Sequence, residues 1–331
     1  MSEHLLRWSD EATGLRAVVA IDDTALGPAL GGVRARPYPS EAAAAAEVQR
    51  LARVMTLKNA AAGLPYGGAK SVILAPTGPE LAARRPEVMA AFGRAVGALG
   101  GTYLPGIDMG TGVEDLEVMA PYAPGICCVD PSELTALGVF AGIEAALDGS
   151  CGGRRVLVQG AGHVGASLAA RLAAAGALVG VADVDMERAE RVARAVDGLV
   201  VDPDKVPGSP CDVLAPCAVA RVVGPANVDE LQCAIVAGAA NDILADRATA
   251  QLLADRGVVY VPDFLLNAGG VIAIHALLAG WDHNRQEEAV MAIGPRVRQV
   301  LDEARASGRT PLEVGEQLAS ERLRRPIVAP D

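Results

Sequence analysis

Residues 155–171 read RVLVQGAGHVGASLAAR. An apolar run (VLV) meets a glycine loop, which opens into an alanine-rich stretch with helical spacing, so the order is strand, turn, helix. Gly160, Gly162 and Gly165 fit G-x-G-x-x-G. The first glycine permits the tight turn, the second lets backbone approach a pyrophosphate, and the third allows close helix–strand packing. Free N–H groups at the helix start, together with its dipole, favour the anion. The next apolar run, Leu178–Ala182, ends at Asp183, where a carboxylate accepts from ribose hydroxyls and repels a 2′-phosphate. These features together predict a dinucleotide site that takes NAD rather than NADP. His163 and Val164 within the motif, and Cys217 and Ala218 downstream, are the further candidate cofactor residues.

Outward from this stretch, strand and helix patterns keep alternating: Met186–Val196, Val213–Leu214, Ala234–Ala237, Ala248–Arg256, Val258–Val261. Short apolar strands separated by helices predict an α/β Rossmann domain, a doubly wound parallel sheet over 132–270. Residues 1–131 read as a separate mixed α/β domain with a strand at Leu15–Ile21, an extended piece at Gly31–Tyr38 and a helix capped by Ser40. A Gly/Ala-rich loop through Gly67–Lys70, a strand at Ser71–Leu74, a helix at Pro86–Leu99 and a glycine-dense loop at Tyr103–Gly112 follow. Residues 271–331 predict C-terminal helices returning toward the N-terminal domain. A chain of 331 residues accommodates two domains with sizeable cores.

With 51% hydrophobic and 21% charged residues, the chain has the composition of a globular protein. A net charge of −11 and the absence of any basic run exclude an electrostatic footprint for nucleic acid or an anionic membrane. No eighteen-residue apolar stretch and no signal-type N-terminus are present, so a soluble cytoplasmic protein is expected. The six cysteines form no C-x-x-C pair and lack histidines at zinc spacing, so buried reduced thiols and no metal are expected.

Lysine is scarce: of 29 basic residues only Lys58, Lys70 and Lys205 are lysines. Unlike arginine, lysine gives up its proton once burial or a neighbouring cation lowers its pKa. Two of the three lie in MTLKNAAAGLPYGGAK (55–70), one of three segments that join polar groups to glycine-rich backbone; the others are GPALGGVRARPYPS (27–40) and PGIDMGTG (105–112).

Together with GAAND and NAGGV, these segments resemble the Glu/Leu/Phe/Val family of amino-acid dehydrogenases over nearly the whole chain. GGAK followed by Asp-Met-Gly-Thr is specific to that family. The resemblance implies a cleft between the two domains, assembly into homo-oligomers, and NAD-dependent oxidative deamination of an L-amino acid to the 2-oxo acid and ammonia. It makes Lys70 the base that activates the water attacking the imine, which requires a pKa well below the ordinary lysine value of about 10.4. It makes Asp108 the proton shuttle for the substrate amino group and Lys58 the partner of the α-carboxylate. Gly31 and Gly32, with Asn241 and Asn267, fall at positions near substrate and nicotinamide.

Substrate class follows partway. Leu30 stands where glutamate dehydrogenases carry a lysine for the side-chain carboxylate, and Ile274, three positions after Val271, where they are small and polar. An apolar pocket of this kind leaves a second carboxylate unpaired at a cost of several kcal/mol, so an apolar substrate of the Val/Leu/Phe class is expected. Ile107, beside the proposed shuttle, departs from the valine, leucine and phenylalanine enzymes alike. It supports an alternative in which the same chemistry acts on a non-standard amino acid. A non-catalytic NAD-binding homologue is the other alternative, and the presence of both Lys70 and Asp108 speaks against it.

Overall fold

The computed structural model describes residues 4–74 and 79–324, apart from the side chains of 79–82. The chain divides into two units, Met1–Asp130 with Ile274–Trp281 and Ala319–Asp331, and Pro131–Ala273 with Asp282–Leu318.

In the first unit the order is β1 (His4–Asp10), β2 (Leu15–Asp23), β3 (Ala29–Arg36), α1 (Glu41–Ala61), β4 (Gly67–Leu74), α2 (Pro79–Gly97), β5 (Tyr103–Ile107) and α3 (Val113–Met119). The sheet order is β1-β2-β4-β3-β5. β1–β2 and β2–β4 are antiparallel, while β3 runs parallel to both β4 and β5. Alternation along the strands gives the sheet two buried faces. On one, Val18, Ala20 and Val72 pack on Ala44, Ala45, Val48 and Ala52 of α1. On the other, Ala17, Val19, Val33 and Ile73 pack on Val88, Met89 and Phe92 of α2. Ser40 caps α1, its side chain accepting from Ala43 N–H, as the sequence predicts.

Two expected loops are strands. Gly67–Lys70 belongs to β4 and Tyr103–Ile107 is β5. The glycines that suggest a loop serve close approach instead: a Cβ on Gly67 would lie 1.8 Å from Asp23 O, and one on Gly68 2.3 Å from Thr56 Oγ1 on α1. The helix expected from Pro86 begins at Pro79 and carries Pro86 inside it. β1 has no counterpart in the sequence reading.

The second unit opens with α4 (Ser132–Ala146) and continues β6 (Arg155–Gln159), α5 (His163–Ala174), β7 (Leu178–Ala182), α6 (Met186–Ala195), β8 (Leu199–Val200), β9 (Val213–Pro216), β10 (Ile235–Val236), α7 (Thr249–Asp255) and β11 (Val259–Tyr260). The six strands are all parallel, in the order β11-β10-β9-β6-β7-β8. This is the Rossmann order, with β6 central and the direction of winding reversing between β6 and β9. Helices α8 (Asp263–Leu266), α9 (Gly269–Leu278), α10 (His283–Met291), α11 (Ile293–Ser307) and α12 (Pro311–Arg324) follow.

The main segment of the first unit ends at Asp130 and the second unit begins at Pro131. Residues 271–331, however, are shared between the units, and 282–318 group with the second. The reason is packing: Gly138 and Gly142 of α4 let Ile293 and Val297 of α11 approach, and Val300 and Leu301 are buried with them. Among the described residues no helix is long and apolar enough to cross a membrane.

Candidate active site

Lys70 shares the α1 face of the sheet with Val72, by alternation and by pairing with Ala20. On β3 the same parity puts Leu30, Gly32 and Arg34 on this face, and on β5 Leu104 and Gly106; the intervening Ala29, Val33, Tyr103 and Ile107 belong to the opposite core. Gly32 and Gly106 are register partners. The lysine therefore extends across a strand that has no side chain at the crossing point. Its Nζ reaches Asp108 Oδ2 at 3.0 Å, just beyond the end of β5. A Cβ on Gly32 would lie 3.0 Å from that Nζ and 2.8 Å from Asp108 Cβ.

Asp108 is fixed from several sides. Arg34 Nε donates to the same Oδ2 at 2.7 Å, and the Arg34 guanidinium also pairs with Glu47 on α1. Glu47 in turn receives Arg36 at 2.6 Å. The Asp108 N–H donates to Thr111 Oγ1 (3.0 Å), whose hydroxyl donates to Val33 O (2.7 Å). Beneath the paired glycines the buried Tyr103 hydroxyl donates to Gly31 O (3.1 Å) and lies 2.8 Å from Ser71 Oγ.

These contacts set the charge states. Burial is the largest influence on Lys70 and lowers its pKa; Asp108 opposes the shift and Arg34 adds to it. Burial alone would raise the Asp108 carboxyl, but the charges of Lys70 and Arg34 outweigh it and hold the group well below the usual carboxylate range. Arg34 stays a cation, because Asp108 and Glu47 overcome its own desolvation. The result is a dry lysine with a loosened proton beside a carboxylate that stays ionised.

Around this pair, Leu30 is fully buried in register with Leu104, and Ile274 Cδ1 lies 3.0 Å from the position of a Cβ on Gly106. Beside Ile274, His275 Nδ1 and the Tyr66 hydroxyl are 2.9 Å apart. Lys58 is buried near the end of α1, next to Asn59, whose Nδ2 donates to Gly67 O at 2.6 Å and ties the helix end to β4. Ile107 packs into the opposite core. It neither narrows nor lines the Lys70 face, which removes the support it gave to a non-standard substrate.

In the second unit Gly160 has φ +111°, and a Cβ on it would lie 2.7 Å from Ala218 Cβ and 3.0 Å from the Cys217 carbonyl carbon. A Cβ on Gly165 would meet Gly160 O at 1.9 Å, whereas Gly162, the N-cap of α5, faces open space. His163 and Val164 form the first turn of α5. Burial pushes the Cys217 thiol up to about 12, so it stays a neutral neighbour of the loop. Asp183 braces the loop: its Oδ2 accepts from Ala161 N–H (2.7 Å) and its Oδ1 from Asp185 N–H (2.9 Å). Asn267 Nδ2 donates to Asn241 Oδ1 (3.0 Å) and to Ala239 O (3.1 Å), while its buried Oδ1 has no partner. Val271 is buried on α9 in this unit.

The sequence reading thus finds Lys70, Asp108 and Gly32 at one place, and the glycine loop, Cys217, Ala218 and Asp183 at another. It misses Arg34, Glu47, Thr111 and Tyr103. Strand alternation from Gly32 would have put Arg34 on the right face; nothing in the chain points to Glu47.

Comparison with known proteins agrees with this architecture. The model of the Glu/Leu/Phe/Val dehydrogenase dimerisation domain matches residues 3–123, and that of the Glutamate/Leucine/Phenylalanine/Valine dehydrogenase family matches 185–287. Leucine dehydrogenase of Thermoactinomyces intermedius is 36% identical over 334 residues, covering 97% of this chain and 90% of the relative. Valine dehydrogenase of Streptomyces virginiae is 37% identical over 339 residues, with 97% and 93% covered. Among solved structures, L-tryptophan dehydrogenase from Nostoc punctiforme superposes with a TM-score of 0.79 at 34% identity, covering 97% of this chain and 95% of that one. At such identity over almost its full length, the chain belongs to the Glu/Leu/Phe/Val dehydrogenase family.

Proposed function

We propose that the chain is an NAD-dependent dehydrogenase of apolar L-amino acids, interconverting the amino acid with its 2-oxo acid and ammonia. The observation that carries this reading is the buried Lys70, its pKa lowered, 3.0 Å from the ionised Asp108 over a glycine floor. Relatives named leucine and valine dehydrogenases support the branched-chain class. So do Leu30, Leu104 and Ile274, which give the Lys70 face an apolar wall.

The second unit fits a dinucleotide on its own geometry. Gly162 leaves room at the start of α5 for a pyrophosphate, and the orphaned Asn267 Oδ1 is an acceptor suited to a carboxamide N–H₂. Gly160, Gly162, His163, Val164, Gly165, Asp183, Cys217, Ala218 and Asn241 would hold it. Bound there, NAD supplies the hydride acceptor for the substrate Cα.

The chain's own residues do the proton work. Lys58 pairs with the substrate α-carboxylate beside Gly31 and Gly32. Asp108 accepts a hydrogen bond from the substrate amino group and exchanges a proton with it. An ammonium arriving at Asp108 adds positive charge next to Lys70 and drives off the proton that burial has already loosened. Neutral Lys70 then takes a proton from water as the water adds to the imine carbon, and returns it as ammonia leaves. The name of the family's first domain supports a homo-oligomer assembled through residues 3–123. The free state of all six cysteines supports a reducing, cytoplasmic setting.

The test is NADH formation across the standard L-amino acids at a pH of about 10, with Lys70→Ala as control. Turnover with valine, leucine or phenylalanine that disappears in the variant is expected. Undiminished turnover in Lys70→Ala would remove Lys70 from the chemistry, and turnover restricted to acidic amino acids would overturn the substrate class.

A further inference from the structure

At the edge of the second unit away from the glycine loop, β9 and β10 begin side by side. Val213 pairs with Ile235 in parallel register. The two chains already run together two residues earlier: Cys211 N–H donates to Gln232 O (3.1 Å) and Ala234 N–H to Asp212 O (3.2 Å). Extended back by two residues, that register sets Cys211 and Cys233 opposite one another just ahead of β9 and β10. Strands about 4.8 Å apart bring Cα atoms within the range of roughly 4.4–6.8 Å that a disulfide spans. Cys211 and Cys233 influence each other's ionisation, and both side chains pack into one core cluster.

The two thiols are not equivalent. Cys211 is buried, whereas Cys233 is partly exposed. The neighbouring Cys211 lowers the Cys233 pKa, assisted by Arg256, which is itself anchored by Asp229 (3.2 Å) and Leu231 O (3.3 Å). Cys233 and burial raise the Cys211 pKa and keep it protonated. A cavity of about 260 Å³, lined in part by Arg155, Asp197 and Ser209, borders Cys211.

We propose that Cys211 and Cys233 form a peroxide-responsive dithiol that closes to a reversible intramolecular disulfide. The Cys233 thiolate attacks one oxygen of a hydroperoxide, the O–O bond breaks, and the leaving hydroxide takes up a proton as water. The resulting Cys233 sulfenic acid is attacked at sulfur by Cys211; its hydroxyl leaves with the Cys211 proton as a second water. Two thiols are oxidised and one peroxide is reduced. The bridge staples β9 to β10 upstream of Cys217 and Ala218, which abut Gly160. None of this depends on which amino acid the protein oxidises.

The test treats the folded full-length chain with hydrogen peroxide, alkylates the remaining thiols with iodoacetamide after denaturation, and maps peptides without reduction. A Cys211–Cys233 linked peptide, lighter by two hydrogens and opened by dithiothreitol, is expected in roughly tenfold excess over any other pairing, as thiolate character and access select the site. In Cys211→Ser, a sulfenic acid that dimedone traps is expected on Cys233; in Cys233→Ser, Cys211 stays a thiol. The bridged protein should also unfold at a higher temperature than the reduced one, a difference that dithiothreitol abolishes. A linked peptide that forms only in guanidinium, pairing of Cys233 with another cysteine, or oxidation of the native chain that spares both residues would overturn the proposal.

Discussion

Gly32 is the gap through which Lys70 reaches its partner: the lysine starts on β4, the carboxylate stands beyond β5, and β3 lies between them. A methyl group on Gly32 would lie 3.0 Å from Lys70 Nζ, 2.8 Å from Asp108 Cβ and 2.9 Å from Ile107 O. The lysine tip can swing away, but the backbone oxygen and Asp108 cannot without shifting β5. Gly32→Ala is therefore expected to cut kcat by about a hundredfold, because small misplacement of reacting groups is costly. Its stability cost should stay near the 1–3 kcal/mol of an overpacked site. Steady-state kinetics with NAD titration separates the outcomes: unchanged kcat would mean that Lys70 need not cross Gly32, and lost NAD binding would point to general damage.

In the proposed mechanism Lys70 sets the pH dependence. Deamination needs its neutral form, so kcat/KM should rise about tenfold per pH unit on the acid side and level off where the amine is deprotonated. Burial lowers that point below the ordinary value of 10.5, so the plateau begins before free lysine would reach it. A limb that still climbs beyond the pH at which an exposed lysine titrates would contradict the buried assignment. In Lys70→Ala the limb should vanish, and added small primary amines should restore part of the rate.

Arg34 and Glu47 push Lys70 in opposite directions, Arg34 lowering its pKa and Glu47 raising it. Arg34→Gln should move the acid limb of kcat/KM toward higher pH, and Glu47→Gln toward lower pH. Each change breaks a buried pair but leaves the survivors partnered, Asp108 by Lys70, Glu47 by Arg36 and Arg34 by Asp108, so the cost should stay below the roughly 3–5 kcal/mol of a stranded buried charge, with activity read well below the unfolding temperature. Asp108 adds its own signature. Its folded pKa lies below the ordinary carboxyl value of 3.8, so its contribution to stability is fully present above that value and is lost as pH falls through the folded pKa. Acid unfolding of Asp108→Asn should lose that component, which equilibrium denaturation between neutral and acid pH measures.

The legibility of this molecule differed between its halves. The glycine loop with its flanking strands was plain, since the turn geometry at Gly160 and the tight packing at Gly165 each demand glycine at a fixed spacing. In the first unit the same residue type misled. Gly67, Gly68 and Gly106 read as loop, yet they serve strands that pass close to Asp23, Thr56 and Ile274. Which of the two uses a glycine has depends on neighbours distant in sequence. For the same reason the Asp108–Arg34–Glu47 chain was invisible, because its members come from three elements that only the folded sheet aligns. The face of Ile107 was open to inference: alternation from Asp108 puts it on the far side, but that required knowing that β5 is a strand.

In the proposed NAD site, Asp183 makes two separable contributions to cofactor choice. Its carboxylate accepts the Ala161 and Asp185 N–H groups, so it holds the glycine loop as well as presenting negative charge where a ribose would bind. Arg188 lies 3.9 Å from Asp183 and 3.0 Å from Asp185. Removing the carboxylate loosens the loop for either cofactor, yet it also ends repulsion of a 2′-phosphate and leaves Arg188 to attract one. Asp183→Ala should thus lower kcat/KM for NAD about tenfold, in line with loss of a charged hydrogen-bond acceptor worth roughly 1.5–3 kcal/mol, while raising the NADP-to-NAD ratio by at least as much. Parallel kinetics with both cofactors decides the matter. An equal fall for the two would make Asp183 a loop brace alone, and a higher ratio with NAD turnover intact would make it a charge filter alone.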